Sequence, residues 1–151
     1  MIEMNLDTLK LLLDGSSRKL LYNNILNELE KVKKINYIDY QTYEISEGII
    51  PIIKISNYSK PDDIQHVKVF IGAQHNEYNG LFGMLEFFKL VREGKLKINE
   101  IIRKDQILYF LPLMNPYGFL NPNKKNKSGY YLKNGTNLNR FWRKAFVPNY
   151  K

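Results

Sequence analysis

The chain has 151 residues, of which 44% are apolar and 25% are charged, and it contains no cysteine. This composition is typical of one globular domain, and it excludes a disordered tail, a collagen-like repeat, a coiled coil, a disulfide framework and a thiolate metal site. The net charge of +8 belongs wholly to the segment after Asp105, which contains Lys and Arg but no acidic residue. Such a segment favours an anionic partner, either a carboxylate, a phosphate backbone or an acidic chain.

The apolar runs predict no association with a membrane. The longest run has only a few residues, whereas a membrane-spanning helix needs about 20. The amino-terminal segment contains Glu3 and Asp7 and lacks the basic region of a secretory signal. We therefore expect a cytoplasmic protein.

The first third of the chain predicts helices followed by a hairpin. A short helix is expected over residues 6–13, and Ser16 or Ser17 is suited to cap a longer helix that ends near Lys34. Its apolar stripe has helical spacing and consists of Leu21, Ile25, Leu29 and Val32. Residues 40–45 and 49–56 read as two strands joined by a turn at residues 46–48. Pro51 in the second strand predicts an edge strand or a bulge.

The middle of the chain predicts a strand, a helix and a second strand. Residues 67–71 and 107–111 are short apolar runs typical of buried strands, and residues 79–92 have a helical pattern between them, followed by a short helix near residues 98–103. The apolar face of the longer helix consists of Leu81, Met84, Leu85, Phe88 and Val91. A right-handed crossover makes the two strands parallel, so the predicted fold is α/β, with a mixed, partly parallel sheet flanked by helices.

Polar clusters follow the predicted strands, where α/β proteins usually build their sites. His75 and Glu77 come directly after the first buried strand, and imidazole and carboxylate groups are ordinary zinc ligands. A turn at residues 115–118 follows the second buried strand. Farther along, Asn139 and Arg140 form an amide and guanidinium pair suited to clamp a carboxylate. Each cluster taken alone is also typical of a polar surface loop.

Taken in order along the chain, these segments resemble the zinc carboxypeptidase family, including its deacylase relatives of the aspartoacylase and succinylglutamate desuccinylase type. The similar segments are SEGIIPIIKIS at residues 46–56, the strand, loop and helix of residues 67–88, LPLMNPYGF at residues 111–119 and GTNLNR at residues 135–140. The resemblance extends over residues 40–146. It implies an N-terminal helical segment at residues 1–39 and an incomplete catalytic domain at residues 40–151, with the first half of the carboxypeptidase fold.

The resemblance also implies roles for particular residues in the hydrolysis of a C-terminal amino acid or a related amide. His75 and Glu77 match two ligands of one Zn²⁺ ion, although the spacing here is His-x-Glu and the family has one residue more between them. Asn139 and Arg140 match the pair that grips the terminal carboxylate of a peptide or an acylated amino acid. Lys125 stands nearest to the place of an arginine that polarises the scissile carbonyl, and lysine supplies charge without the planar fork.

The family's third zinc ligand and its general base have no counterpart in this sequence. Both follow the Asn-Arg pair in the family, and no His, Asp or Glu follows Arg140 here. His66 begins the strand that His75 follows, about 16 Å of strand away, so we expect it to lie on the surface. We therefore expect incompletely ligated zinc, no peptidase activity from these residues alone, a missing C-terminal half as partner, and an exposed apolar edge or face of the sheet.

Two alternative functions remain open. The first is a non-catalytic module that binds nucleic acid through its basic and aromatic C-terminal segment, which contains Tyr130, Tyr131, Lys133, Arg140, Phe141, Trp142, Arg143 and Lys144. The second is a pseudoenzyme that binds peptide C-termini through Asn139 and Arg140 without metal.

Overall fold

The computed structural model describes residues 18–57, 66–73, 78–121 and 131–137. Helix α1 spans Arg18–Glu30 and continues into a 3-10 helix at Lys31–Lys34. The predicted stripe of Leu21, Ile25, Leu29 and Val32 is fully buried, which confirms this helix. The predicted helix at residues 6–13 and the caps Ser16 and Ser17 lie outside the described residues.

The hairpin is confirmed. Strand β1 spans Ile38–Ile45, strand β2 spans Gly48–Ser56, and they pair antiparallel without interruption from Ile38 opposite Ile55 to Ile45 opposite Gly48. The prediction that Pro51 marks an edge strand does not hold for β2 as a whole, which has neighbours on both sides, but at Pro51 itself only β1, among the described strands, is paired with β2. Proline is tolerated there because β4 pairs with β2 only from Ile53 to Ser56, so no ladder hydrogen bond to β4 is lost at Pro51.

The predicted strand, helix and strand are also present. Strand β3 spans His66–Ala73, helix α2 spans Asn79–Arg92, a one-turn helix α3 spans Ile98–Ile101, and strand β4 spans Gln106–Leu113. Strands β3 and β4 are parallel, and the sheet has the order β1-β2-β4-β3. The expected mixed, partly parallel sheet flanked by helices is therefore confirmed.

One hydrophobic core joins the helices to one face of the sheet. Each described helix contributes buried residues to it, and so do β2 and β4. The sheet residues of the core include Ile53, Ile55, Leu108 and Phe110, whose positions opposite one another place them on the same face. Helix α1 shares this core with the sheet. The domain boundary placed at residue 39 stays a prediction.

Strand β3 differs from its prediction in one respect. It is a strand, but it is not buried: Val67 and Val69 are each 58% exposed, and Phe70 and Ile71 are 42% and 40% exposed. The reason is its place at the edge of the sheet, where only β4 lies beside it among the described residues. The expectation of an exposed apolar edge is thereby confirmed.

In the part of the chain that the structure describes, no helix is long and apolar enough to cross a membrane.

Candidate functional site

The carboxyl ends of β3 and β4 lie side by side. Ala73 is paired with Leu113, and the backbone N–H of Met114 donates to the carbonyl of Ala73 at 2.9 Å. Ala73 is the last residue of β3 before positions 74–77 of the sequence, and Asn115 follows two positions after Leu113. Two of the three polar clusters therefore follow strands that end at the same side of the sheet, as expected for parallel strands.

Asn115 organises the chain where it leaves β4. Its side chain is 1% exposed, and its Oδ1 accepts a hydrogen bond from the backbone N–H of Gly118 at 3.0 Å. This is an N-cap, and Pro116 suits the first helical position because its missing N–H would find no partner there. The segment is therefore a five-residue helix α4, Pro116–Leu120, where the sequence predicted a turn.

Two glycines hold the backbones of β3 and α2 in close contact on either side of residues 74–77. A Cβ on Gly80 would lie 2.8 Å from the carbonyl oxygen of Gly72, and a Cβ on Gly72 would lie 2.6 Å from the carbonyl oxygen of Pro112. Because both neighbouring atoms belong to the backbone, a side chain at Gly80 would push α2 away from β3, and one at Gly72 would push β3 away from β4. The two glycines thus allow the close contacts of β3 with both of its neighbours.

Arg18 ties the start of α2 to helix α4. One guanidinium nitrogen, Nη1, donates to the Tyr78 hydroxyl at 2.8 Å and to the carbonyl oxygen of Phe119 at 3.0 Å. The rings of Tyr78 and Phe119 also meet edge to face, with centroids 5.6 Å apart. The two residues that flank positions 74–77 are therefore fixed, Ala73 by β4 and Tyr78 by α1 and α4.

Tyr22 supports the same region from below. Its hydroxyl donates to the carbonyl oxygen of Ile49 at 2.7 Å and accepts from the backbone N–H of Ile49 at 2.6 Å. Burial raises the pKa of Tyr22, although the hydrogen bond to the backbone opposes this effect. The raised pKa keeps the hydroxyl of Tyr22 neutral at neutral pH. The centroid of its ring lies 6.1 Å from that of Phe119, so Tyr22 packs against α4.

The third cluster begins with a small turn. Tyr131 forms a β-bridge with Asn137, the N–H of Leu132 donates to the carbonyl of Thr136 at 2.9 Å, and Gly135 has a positive φ of 80°. The Asn134 side chain accepts from the N–H of Thr136 at 3.0 Å. The turn that the structure describes ends at Asn137, two positions before Asn139 of the predicted clamp.

The predicted site residues themselves lie outside the described residues. This applies to His75, Glu77, Lys125, Asn139 and Arg140. Within the described ranges, no group of three or more His, Asp and Glu side chains could hold a metal ion. The roles assigned to these five residues therefore stay predictions.

His66 lies at the opposite end of β3 from the candidate site. Its side chain is half exposed, and its Nε2 lies 3.7 Å from a carboxylate oxygen of Asp105. The hydrogen bond from Arg103 lowers the pKa of Asp105. This position agrees with the expectation that His66 is a surface residue.

No pattern in the sequence indicated roles for Arg18, Tyr22 and Tyr78. Their partners are 27 to 101 positions away along the chain. Only the fold brings them together, and their residue types are ordinary for a helix.

Comparison with known proteins supports the fold. No protein-family model and no curated protein matches the chain. Three solved bacterial structures are similar to it. A metallo-carboxypeptidase from Burkholderia cenocepacia has a TM-score of 0.59 at 17% identity, over 80% of this chain and 32% of its own.

The other two structures carry provisional names. A provisionally named carboxypeptidase A from Shewanella denitrificans OS-217 has a TM-score of 0.59 at 14% identity, over 81% of this chain and 31% of its own. A provisionally named carboxypeptidase from Burkholderia mallei ATCC 23344 has a TM-score of 0.57 at 24% identity, over 77% of this chain and 30% of its own. The chain thus spans about a third of the length of the structures it matches. At these sequence identities the similarity shows a carboxypeptidase-like fold and nothing beyond the fold.

Proposed function

We propose that the chain is the amino-terminal part of a zinc-dependent, metallocarboxypeptidase-like hydrolase that removes a C-terminal amino acid or a related amide-linked group. The observation that carries the proposal is that β3 and β4 end side by side. Ala73, the residue before positions 74–77, pairs with Leu113 near the Asn115 cap, and Tyr78, the residue after them, contacts Phe119. Flanking residues that the fold fixes in place are suited to support a ligand-bearing segment between them.

His75 and Glu77 are the proposed metal ligands. A neutral imidazole and a carboxylate suit zinc, and together they supply two of the three protein ligands of a catalytic site. Bound zinc supplies a Lewis acid that polarises a carbonyl and activates water. The anchoring of Ala73 and Tyr78 supports the proposal, because these two residues flank the proposed ligands and only four positions separate them in the sequence.

Asn139 and Arg140 are the proposed clamp for the substrate carboxylate, and Lys125 is the proposed charge beside the scissile carbonyl. The guanidinium fork offers two parallel donors that match a carboxylate. The excess of positive charge after Asp105 supports an anionic ligand in this part of the protein.

A third ligand and a general base would come from polypeptide beyond these residues. The sequence has no His, Asp or Glu after Arg140, and the chain covers 31% and 32% of two of the solved structures that share the fold. We accordingly propose that the 151 residues bind zinc incompletely and are inactive alone.

Zinc binding tests the ligand assignment. We expect equilibrium dialysis to show zinc bound to the chain, a large loss of affinity in His75→Ala and a smaller loss in Glu77→Gln. His66→Ala is a matched control, because the sequence contains only these two histidines and His66 starts β3 about 23 Å from its other end. Equal losses in His66→Ala and His75→Ala would remove the proposed site.

Hydrolysis tests the completeness of the active centre. A substrate with a free C-terminal amino acid should be cleaved only when any downstream-encoded segment is supplied, in the same chain or as a second one. Arg140→Lys should then raise KM with little change in zinc binding, because lysine cannot form the bidentate contact. Failure of the combined segments to bind zinc would contradict the proposal, and metal-independent carboxylate binding would indicate the pseudoenzyme.

A further inference from the structure

Two arginines join helix α1 to helix α2, one near each end of α2. Arg18, at the start of α1, donates from Nη1 to the hydroxyl of Tyr78, the residue before α2, at 2.8 Å. Arg92, the last residue of α2, donates from Nη1 to a carboxylate oxygen of Glu28 at 2.9 Å. Each Nη1 also donates to a backbone carbonyl oxygen, at 3.0 Å for Arg18 and 3.2 Å for Arg92. The two contacts therefore use the same kind of donor and differ in what they connect.

Arg18 contacts both of the elements that follow the parallel strands. Tyr78 precedes α2, the helix that follows β3, and Phe119 lies in α4, the helix that follows β4. One nitrogen of Arg18 donates to both residues, and their rings meet edge to face. Arg92 makes its contact at the other end of α2, which is about 20 Å long. Arg18 is thus the arginine beside the candidate site, and Arg92 is remote from it.

The hydrogen bonding of Arg18 is incomplete. Its Nε is buried, and among the described residues no group accepts a hydrogen bond from it. A buried donor without a partner costs free energy, and an apolar side chain in place of a buried charged one is often neutral or stabilising. The net contribution of Arg18 to stability is thereby reduced, whereas its two bonds still fix Tyr78 and Phe119 relative to each other.

We propose that Arg18 is a positioning residue for the metal site, because it fixes the start of α2 against α4 at the end of the sheet where β3 and β4 stop. This inference rests on the proposed function, in which His75 and Glu77 bind zinc. Arg18 acts through Tyr78, the first described residue after the proposed ligands, and is not itself a ligand. The helical segment before residue 40 then takes part in the active centre, although the predicted domain boundary places it outside.

A positioning role predicts that replacement of Arg18 weakens metal binding while the fold persists. Loss of a residue that orients metal ligands typically lowers metal affinity about 10- to 100-fold, and Arg18 acts through an intermediate residue, so we expect about tenfold. The packing of α1 does not depend on Arg18, because Leu21, Ile25, Leu29 and Val32 are fully buried in the core. Metal affinity and stability should therefore respond differently.

Equilibrium dialysis against zinc tests the proposal. Arg18→Met should weaken zinc binding about tenfold, and Tyr78→Phe should weaken it less, because the bond to Phe119 remains. Arg18→Lys should restore part of the affinity, since Arg18 uses one nitrogen for both bonds and an ammonium group has three donors. Arg92→Met is the matched control, because it removes the same kind of contact between the same helices, and its zinc affinity should equal that of wild type.

The double variant Arg18→Met/Tyr78→Phe tests whether the two residues act as a unit. Its zinc affinity should equal that of Arg18→Met, because the second change removes a hydroxyl whose bond is already lost. Losses that multiply would contradict the proposal, since they would mean that the two side chains act independently. Circular dichroism and a thermal melt establish that each variant is folded at the temperature of the dialysis.

The results distinguish a failure of this role from a failure of the proposed function. Zinc binding that is unchanged in His75→Ala overturns the proposed ligands, and the role of Arg18 with them. Zinc binding that depends on His75 but is equal in wild type and Arg18→Met overturns the role of Arg18 alone, and so do equal losses in Arg18→Met and Arg92→Met. If Arg18→Met does not fold, Tyr78→Phe decides, because it removes a single oxygen atom and should still weaken zinc binding.

Discussion

The two edges of the sheet are built in opposite ways. Strand β1 carries polar side chains at its margin, and Gln41 donates to Asp39 at 2.8 Å. The 3-10 helix covers part of it, where Lys33 lies over the Tyr40 ring at 5.1 Å. Strand β3 has an apolar margin with exposed Val67 and Val69. The difference shows that polar side chains and the 3-10 helix protect the edge of β1 from pairing with another strand, whereas the edge of β3 is suited to pair with further polypeptide.

The largest expected effect is a difference in unfolding free energy between a truncation in the covered strand β2 and one in the edge strand β3. Ile53→Ala in β2 removes a fully buried side chain and should cost about 3 kcal/mol of unfolding free energy, through lost burial and a cavity. Val67→Ala in β3 removes apolar atoms that are already exposed and should cost less than about 0.5 kcal/mol. Denaturant titrations at a protein concentration that keeps the chain monomeric measure both. Similar losses would show that the edge of β3 is covered in the monomer.

A second prediction concerns the contact that fixes β3 to α2. Gly80→Ala should cost about 2 kcal/mol, because its Cβ meets the Gly72 carbonyl oxygen at 2.8 Å. Gly83→Ala in the same helix is the control, since a Cβ there meets nothing within 4 Å. It should raise stability by up to about 1 kcal/mol, because alanine favours helix. If the two variants melt at the same temperature, the close approach of strand and helix is wrong.

The smallest expected effect concerns the ion pair between Glu28 of α1 and Arg92 of α2, on the face of the sheet that the helices cover. Burial acts to raise the pKa of Glu28, but hydrogen bonds from Lys31 and Arg92 outweigh it and lower the pKa below the ordinary 4.5. Arg92 approaches the carboxylate at 2.9 Å and also donates to the Glu28 carbonyl. A lowered pKa stabilises the fold above pH 4.5, and this stability is lost as the pH falls through the folded-state pKa.

Glu28→Gln should therefore lose less than about 1 kcal/mol at neutral pH, because the pair is partly exposed. The stability difference from wild type should shrink as the pH falls below 4.5. Urea titrations at a series of pH values measure this difference. A difference that stays constant with pH would mean that the pair contributes nothing through ionisation.

Much of the fold was predictable because hydrophobic periodicity records which side of each element is covered. The stripe of α1 and the limits of α2 illustrate this, since Leu21 and Leu29 are fully buried and α2 has the predicted bounds. Burial of β3 was mispredicted because an apolar run is the same whether its strand is central or at an edge. The helix at Pro116 was missed because a proline turn and a capped helical turn have the same first residues.

The candidate site was predictable only in part. The order of strands and polar clusters indicated that residues after β3 and β4 share one end of the sheet, and their parallel pairing agrees. The contacts of Arg18 with Tyr78 and Phe119 carried no local signal, because they join residues far apart in the chain. The positions of His75 and Arg140 relative to each other stay a prediction.

The distance between the metal-ligand segment and the clamp segment tests the central claim most directly. The absence of cysteine allows Asn76→Cys and Leu138→Cys to carry two spin labels without further changes. If residues 75–77 and 139–140 face one cavity, double electron–electron resonance should give a single distance well below about 23 Å, the end-to-end length of an eight-residue strand. A distance at or above this length would place the segments at different ends of the sheet and contradict a shared active centre.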